Sequence, residues 1–437
     1  MNIDSLLKPY QRFGVHLGLE RIKQLLANLD NPHHAVPIIH VAGTNGKGSV
    51  CAYLSSVLSE AGYQVGRYTS PHLIDWTERI CLNGQPITTE ELVKLLLQIQ
   101  SVVHPETEEP PTQFEVITAA AWLYFAQQQV DIAVMEVGLG GRLDATNVCQ
   151  NSLVSIITSL SRDHWQNLGP TLTDIAREKA GILKPNTPAV IGLLPPEAKA
   201  VVKSKIKQVN CPAIWVEPAK EIKKTNTSSP RWARYESPDQ SNLKSLDYPL
   251  PLLGQVQLTN SALAITSVQI LQQKGWHITE DAIISGMAKT RWLGRLQWTS
   301  WHNHKLLVDG AHNRAAAFAL RQYIDTLNSS VNWVIGMLST KDHQEIFQAI
   351  LKPGDQLYLV PVPHHISAQP ETLAVIAKHT CLELANCRTY LNLSAGLDAA
   401  ISNSTEDSEN LVVLCGSLYL VGYFFSLEGS FSETDKY

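Results

Sequence analysis

A mostly aliphatic run at residues 38–42 is the first strong hydrophobic pattern of the chain, and it breaks into a glycine-rich turn. A short continuous run of this kind is typical of a strand that is buried on both faces. After the turn, Val50, Leu54 and Leu58 recur at helical spacing. Gly62 follows them and is a suitable helix stop. The pattern therefore predicts a strand, a glycine loop and a helix in succession.

Strand and helix patterns alternate between residues 19 and 290. Strand-like apolar runs lie at residues 64–69, 131–138, 153–158, 187–191 and 213–216. Helical periods lie at residues 19–29, 87–100, 113–128, 172–182, 197–208, 255–273 and 280–289. Thr173 or Asp174 is expected to cap the helix at 172–182. Residues 220–248 are polar and show no sustained period, so we expect irregular loops there, with a strand hairpin that the pattern does not place.

The alternation restarts after residue 290. Strand-like runs lie at residues 305–309, 333–337, 356–360 and 411–415, and helical periods at residues 343–351 and 371–379, with an alanine-rich helix after residue 313. The apolar run at 411–425 is too short for a membrane span and is interrupted by glycine, so it predicts a buried strand that turns into a helix. Residues 428–437 are polar and predict a frayed tail.

These patterns predict two α/β domains, with ranges 1–290 and 291–437. The first is expected to carry a mostly parallel sheet, and the second to be smaller and Rossmann-like. A length of 437 residues independently favours two domains.

Composition narrows the class of protein. The chain is 44% hydrophobic and 17% charged, with a formal net charge of -5, so it lacks the basic footprint of a nucleic-acid-binding protein. The first residues lack the layout of a signal peptide, and the seven scattered cysteines show no C-x-x-C spacing. We therefore expect a cytoplasmic protein that acts as a monomer, without nucleic-acid or membrane partners.

The glycine loop at 43–49 has the features of a phosphate-binding loop. A strand delivers it, glycines let backbone N–H groups converge on phosphate oxygens, and the following helix N-terminus favours an anion. The loop is a variant of the common pattern, because Gly48 separates Lys47 from the hydroxyl of Ser49. The alternative is that the glycines form only a tight connection. The candidate phosphate contacts are Thr44, Asn45, Gly46, Lys47, Gly48 and Ser49.

Two other strand ends carry oxygen ligands. Glu136 interrupts an otherwise apolar strand near its carboxyl end, where burial is costly without a partner or a metal ion. Ser70 ends the preceding strand, and Pro71 keeps it out of helical geometry. Ligands bind at this edge of open parallel sheets. If Lys47 binds phosphate, a magnesium ion is expected, and Ser70 and Glu136 suit it.

Several further residues have two interpretations by local rules. A second glycine turn carries Arg142, Asp144 and Asn147 and suits ligand contact better than simple connection. Phe114 and Glu115 open a helix, where they can stack on and orient a flat ligand, although local rules favour a glutamate that complements the helix dipole. His164 alone is typical of a structural histidine, and Glu178 and Lys179 are typical of a solvated helix face.

Taken together, five stretches carry a resemblance to a known family. They are Gly-Thr-Asn-Gly-Lys-Gly-Ser at 43–49, Ser-Pro-His-Leu at 70–73, Glu-Val-Gly-Leu-Gly-Gly-Arg-Leu-Asp-Ala-Thr-Asn at 136–147, Glu-Lys-Ala-Gly-Ile at 178–182 and Asp-Gly-Ala-His-Asn at 309–313. In this order they resemble the folylpolyglutamate synthases of the Mur ligase superfamily, of the bacterial type that is often also a dihydrofolate synthase.

The resemblance implies an ATP-dependent amide ligase of folate biosynthesis and one-carbon metabolism. A carboxylate of the pterin substrate attacks the γ-phosphate of ATP, and the amine of L-glutamate then displaces phosphate from the resulting acyl phosphate. Dihydropteroate or reduced folates are the implied acceptors. The resemblance also implies two magnesium ions and leaves room for a monovalent cation.

Individual roles follow by resemblance only. Lys47, Glu136, His164 and Lys179 are the implied catalytic residues. Ser70 and Glu136 match ligands of the first magnesium ion, and His164 a ligand of the second. Lys179 matches a lysine that the family carbamylates to bind that second ion.

The implied nucleotide contacts, besides the loop, are Asn260, Arg295, Asp309 and His312, so that ATP would bridge both domains. The implied pterin contacts are Phe114, Glu115, Leu143, Asp144 and Ala145. One departure concerns the helix that carries Asn260, because the family usually places a histidine where Val256 precedes Gln257.

Two other functions remain as alternatives. A Mur-type ligase for a UDP-muramyl cell-wall precursor would have the same phosphate-binding loop and the same two-domain organisation. An N-terminal domain for a UDP-sugar is not evident before residue 38. A kinase or nucleotide-dependent switch would leave the domain of Asp309 without a role.

Overall fold

The protein is described by a computed structural model, which covers residues 2–13, 17–103, 109–149, 152–224, 231–236, 244–403 and 410–427. The chain divides into two compact units, one formed by Met1–Pro251 with Gln257–Arg291 and the other by Leu252–Val256 with Trp292–Tyr437. The functional assignment of ranges 1–290 and 291–437 stays a prediction.

Eight strands form the larger sheet of the first unit. They are β1 (Ile38–Ala42), β2 (Val65–Tyr68), β3 (Ile80–Leu82), β4 (Gln85–Pro86), β5 (Ile132–Glu136), β6 (Ser152–Ile157), β7 (Ala189–Ile191) and β8 (Ala213–Trp215). Their order is β4-β3-β2-β5-β1-β6-β7-β8. Neighbours from β2 to β8 are parallel, and β3 and β4 add an antiparallel edge. The expectation of a mostly parallel sheet is confirmed.

Helices cover this sheet. They are α1 (Ile3–Leu7), α2 (Glu20–Ala27), α3 (Lys47–Glu60), α4 (Thr89–Val102), α5 (Gln113–Gln127), α6 (Trp165–Leu168), α7 (Leu172–Ala180), α8 (Pro196–Val209), α9 (Val256–Gln273) and α10 (Glu280–Lys289). Short 3-10 helices occupy Lys8–Phe13, Pro32–His34 and Trp76–Arg79. Helices α5 and α9 are buried along most of their length. Helix α5 is apolar around most of its circumference, whereas α9 also buries polar side chains.

Two local expectations change in the structure. Helix α7 is capped by Thr171, whose side chain accepts from the N–H of Asp174, while Asp174 bonds back to Thr171. Thr173 therefore does not cap the helix, and the reciprocal bonding of a capping box explains why Asp174 takes the third helical position. Lys179, near the end of the same helix, is buried rather than solvated.

The polar segment at 220–248 contains a second, three-stranded antiparallel sheet. Its strands are β9 (Lys220–Ile222), β10 (Trp232–Tyr235) and β11 (Leu246–Pro249), in the order β11-β10-β9. Tyr248 shares a hydrogen bond of 2.7 Å with Ser261 of α9, and Thr266 of α9 donates to the hydroxyl of Tyr235. The expected irregular loops therefore include ordered strands that pack on α9, while residues 225–230 and 237–243 lie outside the described residues.

The second unit has a six-stranded sheet. Its strands are β12 (Gln297–Trp301), β13 (His304–Val308), β14 (Val331–Ile335), β15 (Gln356–Leu359), β16 (Asn386–Thr389) and β17 (Leu411–Cys415), in the order β12-β13-β17-β14-β15-β16. Only β12 pairs antiparallel among these described strands. The helices are α11 (Arg314–Asp325), α12 (His343–Ile350), α13 (Pro370–Thr380), α14 (Leu393–Ser402) and α15 (Leu418–Leu427).

The apolar run at 411–425 forms β17 and then most of α15, as its pattern predicts. Within the described ranges, the chain has no helix with the length and apolar character needed to span a membrane. Residues 428–437, for which a frayed tail is expected, lie outside the described residues.

Helix α3, which follows the glycine loop, is held in place by a close contact with α10. A Cβ atom at Gly286 would lie 2.4 Å from the Cα of Val57 and 2.7 Å from its backbone nitrogen. The hydroxyl of Ser56 donates to the carbonyl of Gly286 at 2.7 Å. Because backbone atoms cannot yield as a flexible side chain can, only glycine fits at this crossing.

We expect Gly286→Ala to lower the free energy of unfolding by about 2 kcal/mol or more, because the added methyl group must push α10 away from α3. Chemical denaturation measures the effect. Asp281→Ala, at an exposed position of the same helix, is the control and should change stability by less than about 0.5 kcal/mol. Equal stability of Gly286→Ala and the unmodified protein would contradict the packing described here.

Candidate functional site

The glycine loop is fixed from the side of β6. The side chains of Thr158 and Ser159 both donate to the carbonyl oxygen of Asn45, at 2.7 and 2.9 Å. The N–H of Thr44 donates to the carbonyl of Ser159 at 2.7 Å. Gly46 has a φ of 90° and precedes the first residue of α3. These bonds hold the loop in shape with backbone N–H groups at the helix N-terminus, which suits an anion.

Lys47 lies between the loop and the end of β5. Its ammonium group donates to the carbonyl of Thr44 at 3.2 Å and lies 3.7 Å from a carboxylate oxygen of Glu136. The other oxygen of Glu136 accepts from the N–H of Ser70 at 3.4 Å. The structure thus brings together the lysine, the carboxylate and the strand-end serine that the sequence selects separately.

Lys179 reaches the same loop from α7. Its ammonium group donates to the carbonyl of Gly43 at 2.8 Å, and the residue is 6% exposed. Burial lowers the pKa of Lys179 to about 7, and the charge of Lys47 acts in the same direction, while Asp163, Asp144 and Glu136 oppose the shift. Such a lysine is partly uncharged near neutral pH, which makes its nitrogen a nucleophile.

His164 is more exposed than the other candidates. It precedes α6 with a φ of 51°, its side chain is 47% exposed, and its Nε2 lies 3.9 Å from a carboxylate oxygen of Asp163. Asp163, the residue before His164, raises the pKa of Lys179 through its charge. The chain at 163–164 is therefore close enough to Lys179 for an electrostatic interaction. The role of His164 as a metal ligand stays a prediction.

The residues near Lys47 fit a magnesium ion in part. Ser70 and Glu136 offer hard oxygen atoms, which Mg²⁺ prefers. Among the described residues, no group of three or more histidine, cysteine, aspartate or glutamate side chains gathers in a way that suggests a metal site. Mg²⁺ at nucleotide sites takes one or two carboxylates and completes its shell with phosphate and water oxygens. The donor set therefore fits an ion that arrives with a nucleotide.

The second glycine loop is organised around the buried carboxylate of Asp144. One oxygen accepts from the N–H of Leu139 at 2.8 Å, and the other accepts from both the N–H and the hydroxyl of Thr146. Burial raises the pKa of Asp144, and these hydrogen bonds oppose the shift. Asp144 thus shapes its own loop, and its expected substrate contact stays a prediction, as do those of half-buried Leu143 and buried Ala145.

Phe114 and Glu115 lie next to this loop. A Cβ at Gly138 would come within 2.3 Å of the ring of Phe114, so the ring packs directly on the loop backbone. Glu115 completes a capping box with Thr112 and also accepts from Arg21 at 3.2 Å. Glu115 therefore does more than complement the helix dipole. Sequence reasoning missed Arg21, because a cation on the amphipathic helix α2 carries no local signal.

Asn260 approaches the phosphate loop from α9. Its amide oxygen lies 2.5 Å from the position that a Cβ at Gly46 would occupy. Asn260 is buried, so its polar side chain is held against the loop rather than in solvent. This placement is compatible with the predicted nucleotide contact.

In the second unit, three predicted nucleotide contacts gather at the carboxyl end of β13. The carboxylate of Asp309 accepts from the N–H groups of Leu296 and Ala311, at 2.9 and 2.8 Å. Burial raises the pKa of Asp309, and the charge of Arg295 opposes the shift. His312 bonds to the carbonyl of Gly310 at 2.8 Å.

Leu296 has a φ of 43°, which is unusual for a branched residue. Its N–H bond to Asp309 holds this turn, and the turn follows directly after Arg295. Asp309 therefore organises the backbone that carries Arg295.

Two family models match the chain. Residues 41–268 match the Mur ligase middle domain, and residues 294–427 match the dihydrofolate synthetase C-terminal domain. The chain is 35% identical over 421 residues to the dihydrofolate synthase/folylpolyglutamate synthase of Bacillus subtilis, with 94% of each chain covered. It is 34% identical over 424 residues to a probable dihydrofolate synthetase of Schizosaccharomyces pombe, covering 93% of this chain and 97% of that one.

Solved structures agree. The fold is similar to that of Mycobacterium tuberculosis folylpolyglutamate synthase complexed with ADP and AMPPCP, with a TM-score of 0.87, 30% identity, and coverage of 99% of this chain and 98% of that one. It is similar to Escherichia coli FolC in complex with DHPP and ADP, with a TM-score of 0.82, 31% identity, and coverage of 98% and 96%.

His40 of β1, the strand that leads into the first glycine loop, contacts the second glycine loop at Thr146. The hydroxyl of Thr146 donates to Asp144, so the Nε2 of His40, 2.8 Å from that hydroxyl oxygen, must carry the hydrogen. Burial lowers the pKa of His40 to about 3, and the charge of Lys184 acts in the same direction. The folded protein therefore keeps His40 neutral.

We expect the protein to lose stability as the pH falls from about 6.5 to about 3. In that range His40 binds a proton in the unfolded chain but stays neutral in the folded protein. Near pH 5 the loss from His40 is about 2 kcal/mol. Between pH 7 and pH 5, the free energy of unfolding of His40→Met should fall by about 2 kcal/mol less than that of the unmodified protein. Urea unfolding at each pH measures it, with exposed His277→Gln as the control. An unchanged pH dependence in His40→Met would exclude this role.

Proposed function

We propose an acceptor substrate, a metal ion and roles for the site residues, and the proposal starts from the family of the chain. The chain belongs to the dihydrofolate synthase and folylpolyglutamate synthase family of the Mur ligases. It is an ATP-dependent ligase that adds L-glutamate to a pterin acid. The observation that carries the assignment of the site is the convergence of Lys47, Lys179 and Glu136 around one phosphate-binding loop.

The chemistry needs a carboxylate to be activated and then kept from water. The acceptor carboxylate attacks the γ-phosphorus of ATP, so that ADP leaves and an acyl phosphate forms. The uncharged amine of L-glutamate then attacks the acyl carbon, phosphate leaves with the electrons of the broken C–O bond, and the nitrogen loses one proton to solvent as the amide bond forms. Lys47 and the N–H groups at the start of α3 hold the transferred phosphoryl group and stabilise its charge.

Ser70 and Glu136 would hold the first magnesium ion, which neutralises phosphate charge when it is bound with ATP. His164 and carbamylated Lys179 would hold the second. Burial supports the modification, because it leaves Lys179 partly neutral near pH 7. The nitrogen lone pair then attacks the carbon of CO₂, and loss of a proton leaves a carbamate.

Dihydropteroate is the acceptor that we propose first. The family model that matches residues 294–427 is that of dihydrofolate synthetase, and the relative from Schizosaccharomyces pombe is named for the same activity. Addition of further glutamates to reduced folates is the second activity. Phe114 is suited to stack on a pterin ring, since its own ring already packs on the backbone at Gly138.

An assay of phosphate release tests the function. With ATP, magnesium and dihydropteroate, release should require L-glutamate, and mass spectrometry should find one added glutamate. A parallel reaction with tetrahydrofolate measures the second activity. Release that does not depend on L-glutamate would contradict the proposal, and turnover of a UDP-muramyl substrate would favour the Mur-type alternative.

We expect Lys179→Ala to lower turnover by about 100-fold or more while the protein stays folded, because a ligand that positions the second ion is lost. Short carboxylates such as acetate should restore part of the activity by replacing the carbamate. Lys207→Ala, on the exposed face of α8, is the control. Full turnover of Lys179→Ala would mean that Lys179 only supports the loop through Gly43.

The compartment and oligomeric state belong to the proposal as well. All seven cysteines are free, as is usual for proteins of the reducing cytoplasm. A monomer suffices for the proposed chemistry, and light scattering after gel filtration measures the mass directly.

A further inference from the structure

Gln257 connects helix α9 to the phosphate-binding loop. Its amide nitrogen donates to the hydroxyl oxygen of Ser49 at 3.3 Å, and its amide oxygen accepts from the amide nitrogen of Asn260 at 3.0 Å. Gln257, Ser49 and Asn260 are 3%, 3% and 6% exposed. Three polar side chains are therefore bonded in series away from solvent, beside the residues proposed to bind phosphate.

The direction of this series is fixed by chemistry. A glutamine side chain has donors on one branch and an acceptor on the other. Asn260 gives an N–H to Gln257, which claims the acceptor branch and leaves the donor branch for Ser49. The oxygen of Asn260 in turn faces Gly46, where it lies 2.5 Å from the position of a hypothetical Cβ. Because Gly46 has no side chain, Asn260 fits beside it. From that position Asn260 donates to Gln257 and sets the orientation of its amide group.

The consequence falls on the single proton of the Ser49 hydroxyl. A hydroxyl has one donor and two acceptor sites. Since Gln257 occupies an acceptor site, the Ser49 proton is available to a phosphate oxygen, and a second lone pair remains for a cation. Without Gln257, the hydroxyl can rotate, and its proton can turn to another acceptor.

We propose that Gln257 is a positioning residue for nucleotide binding, because it orients the hydroxyl of Ser49 toward the phosphates and is itself oriented by Asn260. This inference rests on the proposed function, since it requires that the loop binds ATP. Gln257 acts through Ser49 and does not need to touch the nucleotide.

A purely structural glutamine would behave differently, and the same helix contains one. Gln269 is also buried on α9, and its amide nitrogen donates to the carbonyl of Lys244 at 2.8 Å. Gln269→Met removes a buried amide of the same kind without touching the loop. It is therefore the matched control for the general cost of losing a buried hydrogen bond.

Direct binding of ATP with magnesium, measured by calorimetry without an acceptor, tests the inference in five proteins. They are the unmodified protein, Gln257→Met, Ser49→Ala, the double variant and Gln269→Met. We expect Gln257→Met and Ser49→Ala each to weaken ATP binding by about 5- to 10-fold. The double variant should bind ATP no more weakly than the weaker-binding single variant, because both substitutions remove the same interaction. Gln269→Met should bind as the unmodified protein does.

The outcomes separate the inference from the function on which it rests. No ATP binding by the folded, unmodified protein would overturn the proposed function. Normal ATP binding by Gln257→Met, or effects of Gln257 and Ser49 that simply multiply in the double variant, would overturn the positioning role alone. If Gln257→Met does not fold, Gln257→Asn replaces it, since a shorter amide keeps the polarity but cannot reach both partners.

Discussion

A pair of opposite charges at one edge of the larger sheet, at the end of β5 and the start of α3, is the constraint on which this part of the first unit depends. Glu136 ends a strand whose other residues are buried and apolar, and an isolated carboxylate there would be strongly destabilising. Lys47, 3.7 Å away, offsets that charge, and it can do so only if the glycine loop returns α3 to this edge of the sheet. The parallel order of β1 and β5 meets this requirement, because it ends both strands at the same edge.

The surrounding structure keeps this charged edge in register. Thr158 and Ser159 brace the loop from β6, Asn260 and Gln257 brace it from α9, and Lys179 braces it from α7. These are side-chain hydrogen bonds, made by buried Thr158, Gln257 and Lys179 and half-buried Ser159, while buried Asn260 acts through its bond to Gln257. Such bonds are costly to leave unmade, so the loop has few alternative conformations. Under the proposed function, a rigid cradle of this kind would place donors where charge develops during phosphoryl transfer, without reorganisation at that moment.

The sequence predicted the elements of this arrangement better than their connections. Strong apolar periods predicted β1, β5 and α10 closely, because burial on both faces or along one stripe leaves a clear pattern. The half-exposed strand β16 was missed, and the strands β9 to β11 were expected only as a hairpin without a position, since polar strands owe their order to tertiary pairing. Lys179 looked like a solvated residue because local rules do not register a partner as distant in the chain as Gly43. Its assigned role came from resemblance.

The contacts of Lys47 also bear on how the loop would exchange a phosphate under the proposed function. Its ammonium group already has oxygen partners within the protein, the carbonyl of Thr44 and the carboxylate of Glu136. If the loop binds ATP as proposed, a phosphate must compete with contacts that Lys47 already makes, and its departure leaves an ammonium group that can return to them. Under the proposed function, release of phosphate would then cost less than release from a lysine that has no partner in the protein.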